Sequence, residues 1–277
     1  MIGGLRSYAR AVRHGYRVER GPGVRTPAPL LIGLIRERNE ALVLQDTLDH
    51  LGRFADGIVV YDDASEDDSV AIAAHHPKVL HVVAAGRWRS DRVREETRNR
   101  SLLLESAREY GPRWFFYCDA DERFEGDIRG FLASRAAADV DGIRVSLFDA
   151  YLTEDDQAPY RSGELFNFRR SYGPERRDIL MIWRNHPAVV YRGLDAREPV
   201  GVDERRVITR FHCQHYGKAL SIQHWDETCD YYSRHFPTYR EKWESRKGQA
   251  IHRTSDFGTD LYDWDRVKER SIKIHPA

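Results

Sequence analysis

Between residues 30 and 118, short apolar runs alternate with stretches whose apolar residues recur every three or four positions. The runs at 30–35, 57–61, 79–83 and 114–118 have the length and continuity of strands buried on both faces. Ala41, Leu44, Leu48 and Leu51 mark one face of a helix after the first run. Leu103, Ala107 and Tyr110 mark the inner face of a long helix over 92–110. Strand, helix, strand, helix predicts an α/β fold: a mixed, mostly parallel sheet flanked by helices, with right-handed crossovers. In the second half, 142–148, 165–168, 179–183 and 206–211 read as further strands. The polar segment 149–164 carries Pro159 and Gly163 and reads as a mobile loop. From Lys218 to His235 the residues Ile222, Trp225, Cys229, Tyr232 and Phe236 keep a helical period, stopped by Pro237. That face packs on the domain or forms a homodimer seam.

Charge adds an N-terminal feature. Arg6, Arg10, Arg13, Arg17 and Arg20 recur at spacings of four and three, which on a helix makes one basic stripe. The arm is read as a solvated or flank-packed segment, or as a helix making peripheral membrane contact. Gly21-Pro22-Gly23 and Thr26-Pro27-Ala28-Pro29 end it as a turn-rich linker. The predicted division is a basic arm (1–27), a catalytic domain (28–217, with a nucleotide-binding half 28–132 and an acceptor half 133–217), and a helical C-terminal extension (218–277). Net charge is zero, which removes any general reason to bind nucleic acid. Cys118, Cys213 and Cys229 form no Cys-x-x-Cys pair and are odd in number, so a reduced compartment without structural zinc is expected. No apolar run has membrane-spanning length, and the start lacks a signal-peptide core. A cytoplasmic protein is expected.

The chemistry gathers at strand ends. The run Trp114-Phe115-Phe116-Tyr117-Cys118 passes straight into Asp119-Ala120-Asp121-Glu122. A buried strand cannot hold unpaired carboxylates, so these acids lie past its C-terminal end, where open α/β sheets bind ligands. In an extended backbone Asp119 and Asp121 project to one side, and two carboxylates so placed call for a cation such as Mg²⁺ or Mn²⁺. A solvated acidic loop is the plain alternative. Two other strands also end in polar clusters, Arg38-Asn39-Glu40 and Asp62-Asp63. In a parallel sheet these ends share one edge, so the three clusters converge.

Residues 30–132 resemble the nucleotide-binding half of family 2 glycosyltransferases with the GT-A fold. The resemblance is carried by Arg38-Asn39-Glu40, by Val60-Tyr61-Asp62-Asp63-Ala64-Ser65-Glu66-Asp67, by Arg98-Asn99 and by Asp119-Ala120-Asp121. Ala64 departs from it, since the family usually has Gly there. The resemblance implies that Asp62 or Asp63 accepts a hydrogen bond from the nucleobase, with Asn39 and Glu40 flanking base or ribose beside Arg38. It implies that Arg98, or Arg94 one turn earlier, reaches base or diphosphate; ion pairing along the helix with Glu95 and Glu96 is the alternative. Asp121 would hold the metal, and Asp119 the ribose or the metal through water. A His after the last strand can complete the metal site in the family; His215, beside Tyr216-Gly217, is preferred to His212. The stretch Gly193-Leu194-Asp195-Ala196-Arg197-Glu198-Pro199 resembles the place where related enzymes carry an acid beside the acceptor. Glu198 is the first candidate base, with Glu164 and Asp195 in reserve.

The resulting expectation is a metal-dependent glycosyltransferase using Mn²⁺ or Mg²⁺. It would move a sugar from a nucleotide-diphosphate sugar, a UDP-sugar being favoured, to a hydroxyl of a glycan, lipid-linked or small-molecule acceptor, with inversion. One alternative is a nucleotidyltransferase of similar fold, although Arg36-Glu37-Arg38-Asn39-Glu40 lacks the glycines of its phosphate loop. The other is a non-catalytic nucleotide-sugar or glycan-binding module, which would need no base.

Overall fold

A computed structural model describes residues 15–274. In chain order the elements are β1 (Tyr16–Arg20), β2 (Leu31–Glu37), α1 (Ala41–Gly52), β3 (Gly57–Asp62), α2 (Ser69–His75), β4 (Val79–Ala85), α3 (Arg92–Ala107), β5 (Trp114–Cys118), β6 (Glu122–Glu125), α4 (Ile128–Ala133), β7 (Gly142–Tyr151), β8 (Ser171–Arg184), β9 (Val207–His215), α5 (Ile222–His235), α6 (Arg240–Glu244), α7 (Trp264–Glu269) and β10 (Ile272–Ile274). The expected class holds: the chain is mixed α/β, with a mostly parallel sheet and flanking helices.

The chain divides into two compact units. Of the described residues, the first holds 15–120, 127–144 and 180–208. Its strands run in the order β1-β4-β3-β2-β5, followed by the C-terminal end of β8. β2 is parallel to β3 and to β5, and β3 to β4; β1 lies antiparallel on β4 and β8 antiparallel on β5. Every residue of β3 and of β5 is buried, which is why both read as unbroken apolar runs. Leu34, Val59, Phe115, Leu103, Leu104 and Trp183 belong to one core cluster. Here α3 shows two characters. Its C-terminal half buries Leu103, Leu104 and Ala107, while its N-terminal half buries Arg92, Glu95, Glu96, Asn99 and Arg100. Glu96 accepts from Arg36, from Arg92 at 3.0 Å and from Arg100 at 2.7 Å. Burial alone would raise its pKa, but the three guanidiniums hold it down at about 2.

The second unit holds residues 121–126, 145–179 and 209–274. Here β6 is antiparallel to β9, with Glu122 opposite His215, and β10 is parallel to β8. Leu152, Trp225, Cys229 and Ala250 form a smaller core that buries the apolar face of α5. Ser221 caps that helix by accepting from the His224 amide at 3.0 Å.

Several expectations change. Tyr16–Arg20 is an edge strand on β4, not part of a helical stripe; Arg6, Arg10 and Arg13 lie outside the described residues. Strand pairing overrides the arginine spacing, because β4 leaves an edge whose backbone groups need partners. The 165–168 run is a turn, closed by the Phe168 amide on the Leu165 carbonyl, with Asn167 at φ +61°. A run that short does not distinguish strand from turn. The 206–211 strand extends to His215, so both histidines lie within β9. Asp119–Asp121 does not continue β5; the backbone turns before β6, so strand alternation no longer relates these two side chains. Residues 149–151 of the expected loop belong to β7. All three cysteines are buried and none is in a disulfide. Among the described residues, no helix is long and apolar enough to cross a membrane.

Candidate functional site

In the first unit the C-terminal ends of β2 and β3 are tied together by polar bonds. The Asn39 and Glu40 amides donate to Ser65 Oγ and Ser69 Oγ, each at 2.9 Å, and Asn39 Oδ1 accepts from the Glu66 amide at 2.8 Å. The Ala41 amide donates to Asp67, whose other oxygen accepts from the Ser69 amide at 3.0 Å. Arg38 donates to the Asp63 and Ala64 carbonyls at 2.9 and 2.7 Å and lies over the Trp88 ring. Two of the three polar clusters therefore meet, as a loop-to-loop clasp. Asn39 and Ala64 both take positive φ, near +55° and +61°. Ala64 sits where a left-handed backbone is needed, a conformation that glycine takes without strain.

Asp62 and Asp63 are both buried. Asp63 binds Arg92 at 2.6 Å, and Asp62 accepts weakly from the Ser65 amide. Asp62 stands opposite Glu37 in the β2–β3 register. Burial, together with the Asp62 carboxylate, pushes Glu37 well above the usual carboxylic range, and its Oε2 accepts from Ser65 Oγ at 3.3 Å. Arg94 points to solvent, 76% exposed, near Asp91, whereas Arg98 lies over the Tyr16 ring and 3.4 Å from Glu95. Asp119 accepts from the Tyr117 hydroxyl at 2.8 Å.

A cavity of about 420 Å³ opens in this unit beside the ends of β3 and β4. Its lining includes Tyr16, Tyr61, Asp63, Arg87, Arg89 and Glu95. Of these, only Asp63 is a nucleotide-binding candidate from the sequence. The missed signal is Arg87-Trp88-Arg89, a cationic and aromatic segment just past the end of β4, on the edge where the other clusters converge.

In the second unit His215 lies between two carboxylates. Its Nε2 is 3.3 Å from Asp121 Oδ2, and its Nδ1 is 2.6 Å from Asp149 Oδ1. Burial disfavours the imidazolium, yet Asp121 and Asp149 push its pKa up to about 10. Arg177 at 2.6 Å and Lys218 at 3.0 Å also face Asp149, and with His215 they hold its carboxyl well below the usual range against the effect of burial. Lys218 reaches Asp256 as well. Gly217 backs this group: a Cβ there would lie 2.8 Å from Asp121 Oδ2 and 2.9 Å from His215 Nε2. Asp149, Arg177, Lys218 and Asp256 were not foreseen, being scattered over two strands and two loops without a motif. His212 is elsewhere, 3.6 Å from Glu125 and against Phe148 and Trp264.

An oxygen and an imidazole nitrogen suit Mn²⁺ or Mg²⁺. A carboxylate on the far ring nitrogen is the usual support for a metal-binding histidine. The glycine keeps the near side clear. Among the described residues no group of three or more His, Cys, Asp and Glu side chains forms a metal cage. Asp121 and His215 could supply two ligands of a set whose other positions substrate oxygens and water would fill.

The candidate bases differ in their surroundings. Glu198 is gripped by the Arg144 fork at 2.6 and 2.9 Å and accepts from the Leu180 amide at 3.3 Å. Asp195 has φ +49°, and its amide donates to the Val93 carbonyl. Glu164 is exposed.

No protein-family model matches the chain. It is 37% identical over 104 residues to an uncharacterized protein of Mycobacterium tuberculosis and, equally, to one of Mycobacterium bovis. The match takes in 35% of this chain and 25% of each relative, so the chain matches only a quarter of their length. Among solved structures it is similar to a mannosyltransferase from Pyrobaculum calidifontis in complex with GDP-Man and Mn²⁺. That match has a TM-score of 0.39 and 16% identity, covering 90% of this chain and 73% of the other. It is also similar to glucosyl-3-phosphoglycerate synthase from Mycobacterium tuberculosis in complex with Mn²⁺, UDP and glucosyl-3-phosphoglycerate. There the TM-score is 0.28 and the identity 15%, covering 44% of each chain.

Proposed function

We propose that the chain is a GT-A glycosyltransferase that moves a sugar from a nucleotide-diphosphate sugar to an acceptor hydroxyl, with inversion and dependence on a divalent metal. The observation that carries the reading is the Asp121–His215–Asp149 line backed by Gly217. Asp121 and His215 would hold Mn²⁺ or Mg²⁺, and Asp149 would orient the imidazole and keep it basic. The metal, when bound, neutralises charge on the departing diphosphate. Asp119 takes the ribose, and Asp62 or Asp63 with Asn39, Glu40 and Arg38 keeps the nucleoside side in shape. Inverting transfer needs a base to take the acceptor proton. Glu198 is committed to Arg144, which fits a structural carboxylate better than a proton acceptor, so Asp195 and Glu164 carry that role in the proposal. The same ion pair also favours the second reading, a binding module without a base.

The test is Asp121→Ala. Nucleoside diphosphate with Mn²⁺ is expected to raise the melting temperature of the wild type, and this shift should vanish in the variant along with nucleotide-sugar turnover. Asp121 is only 20% exposed and pairs with His215, so the unliganded melt should also fall, and the nucleotide-dependent shift is read against each protein's own unliganded melt. An Asp121→Ala protein that keeps turnover in EDTA would refute the metal assignment. Wild-type nucleotide binding without any transfer or hydrolysis would favour the binding module.

A further inference from the structure

The cavity in the first unit has a volume of about 420 Å³, inside the roughly 300–1,000 Å³ range of small-molecule sites. Two of its walls are aromatic: Tyr16 from β1 and Tyr61 from β3, with ring centroids 6.1 Å apart. Both rings are buried, 5% and 1% exposed, and the Arg98 guanidinium lies over Tyr16, so they shape the apolar side of the cavity and offer no open stacking face. Glu95 lines the same cavity from the first turn of α3 and is 8% exposed. Its contacts with Arg89 Nη1 at 3.5 Å and Arg98 Nη1 at 3.4 Å are long. Good charge-assisted bonds of this type measure about 2.7–2.9 Å. Glu95 is therefore a buried carboxylate near positive charge but with no close donor among the described residues, and burial pushes its pKa up despite Arg89. Asp63, the other acid on the wall, is already bound to Arg92.

A carboxylate presents two parallel acceptors. Guanine is the common base with two adjacent donors on one edge, N1–H and the 2-amino group. Uracil has one N–H between two carbonyls, and these would face the carboxylate. Adenine and cytosine offer one amine beside a ring acceptor. Guanine also presents O6 and N7 as acceptors, the pair that arginine forks engage, and Arg87 and Arg89 are on the lining.

We propose that this cavity binds the base of a guanine nucleotide, with Glu95 reading N1–H and the 2-amino group and Arg89 or Arg87 reading O6 and N7. The inference rests on the nucleotide-sugar reading and narrows its donor; it replaces the UDP preference of the sequence analysis and moves base recognition from Asp62 or Asp63 to Glu95.

Calorimetry on the full chain with Mn²⁺ tests it, using GDP, IDP, UDP and ADP. GDP is expected to bind at least tenfold more tightly than UDP or ADP. IDP lacks the 2-amino group and should bind roughly ten- to a hundredfold more weakly than GDP, the scale of a hydrogen bond to a charged partner. Glu95→Gln should bring the GDP-to-IDP ratio close to one. If that variant does not fold, the wild-type series decides alone. UDP binding as tightly as GDP overturns the guanine assignment while leaving the glycosyltransferase reading intact. Equal affinity for GDP and IDP overturns the role of Glu95. Failure of all four nucleotides to bind overturns both readings together.

Discussion

Glu37 and Asp62 show what neighbouring acids do when both are buried. Folding raises the Glu37 pKa, through burial first and the Asp62 charge second. The sign follows from linkage. A group whose pKa is higher in the folded state contributes stability below its unfolded pKa, and that contribution fades as pH rises through the folded value. Glu37→Gln keeps the shape and a donor but has no proton to lose. It should therefore melt higher than the wild type at pH 8, by roughly 2–4 °C, the response to about 1 kcal/mol in a chain of this size, and gain little at pH 4. Equal differences at both pH values would mean that Glu37 does not titrate in this way. None of this was legible in the sequence, where Glu37 was one more polar residue after a strand. Asp62 and Asp121 could be singled out because they follow apolar runs directly. Glu95 could be seen only as a partner for its helical neighbours, because the cavity it lines also takes Tyr16 of β1, a strand not foreseen.

Among the elements, β2, β3, β4 and β5 were readable because burial on both faces leaves a nearly continuous apolar run, interrupted in β4 by His81. The short β6 and the extension of β9 to His215 were not, since their residues are polar or charged and are paired through the backbone. The Gly193–Pro199 segment was legible as an acid-bearing loop, but its main partner, Arg144, lies 54 residues earlier on β7. That pairing changes what Glu198 is expected to do. Glu198→Gln loses a two-pronged ion pair that is partly exposed, so the melting point should fall by an amount worth about 1 kcal/mol. Turnover and nucleotide affinity should stay within a few-fold of the wild type. A drop in turnover of about a hundredfold or more at an unchanged melting point would return the role of base to Glu198.

At the scale of the whole molecule, the excess of arginine, 38 of 44 basic residues, finds a structural use. Arg36, Arg92, Arg100, Arg144, Arg169 and Arg177 each meet a carboxylate, and several are buried, where a planar fork that stays charged serves better than lysine. Zero net charge is then the sum of many internal pairs. The N-terminal segment carries another consequence. β1 lies along β4, and the chain just beyond it stays as close: a Cβ at Gly21 would fall 2.1 Å from the Val79 carbonyl oxygen. The proline-rich stretch before β2 looks in sequence like a natural place to trim the protein. Cutting there, to start at Pro27, would strip β4 of its cover and leave a row of unsatisfied backbone groups beside an apolar strand, the usual template for strand-to-strand aggregation. It would also remove the Tyr16 wall of the cavity. The trimmed chain should elute as soluble aggregates in size-exclusion chromatography and lose its nucleotide response, whereas a cut in the disposable leader that the linker suggests would leave a monodisperse protein of unchanged affinity.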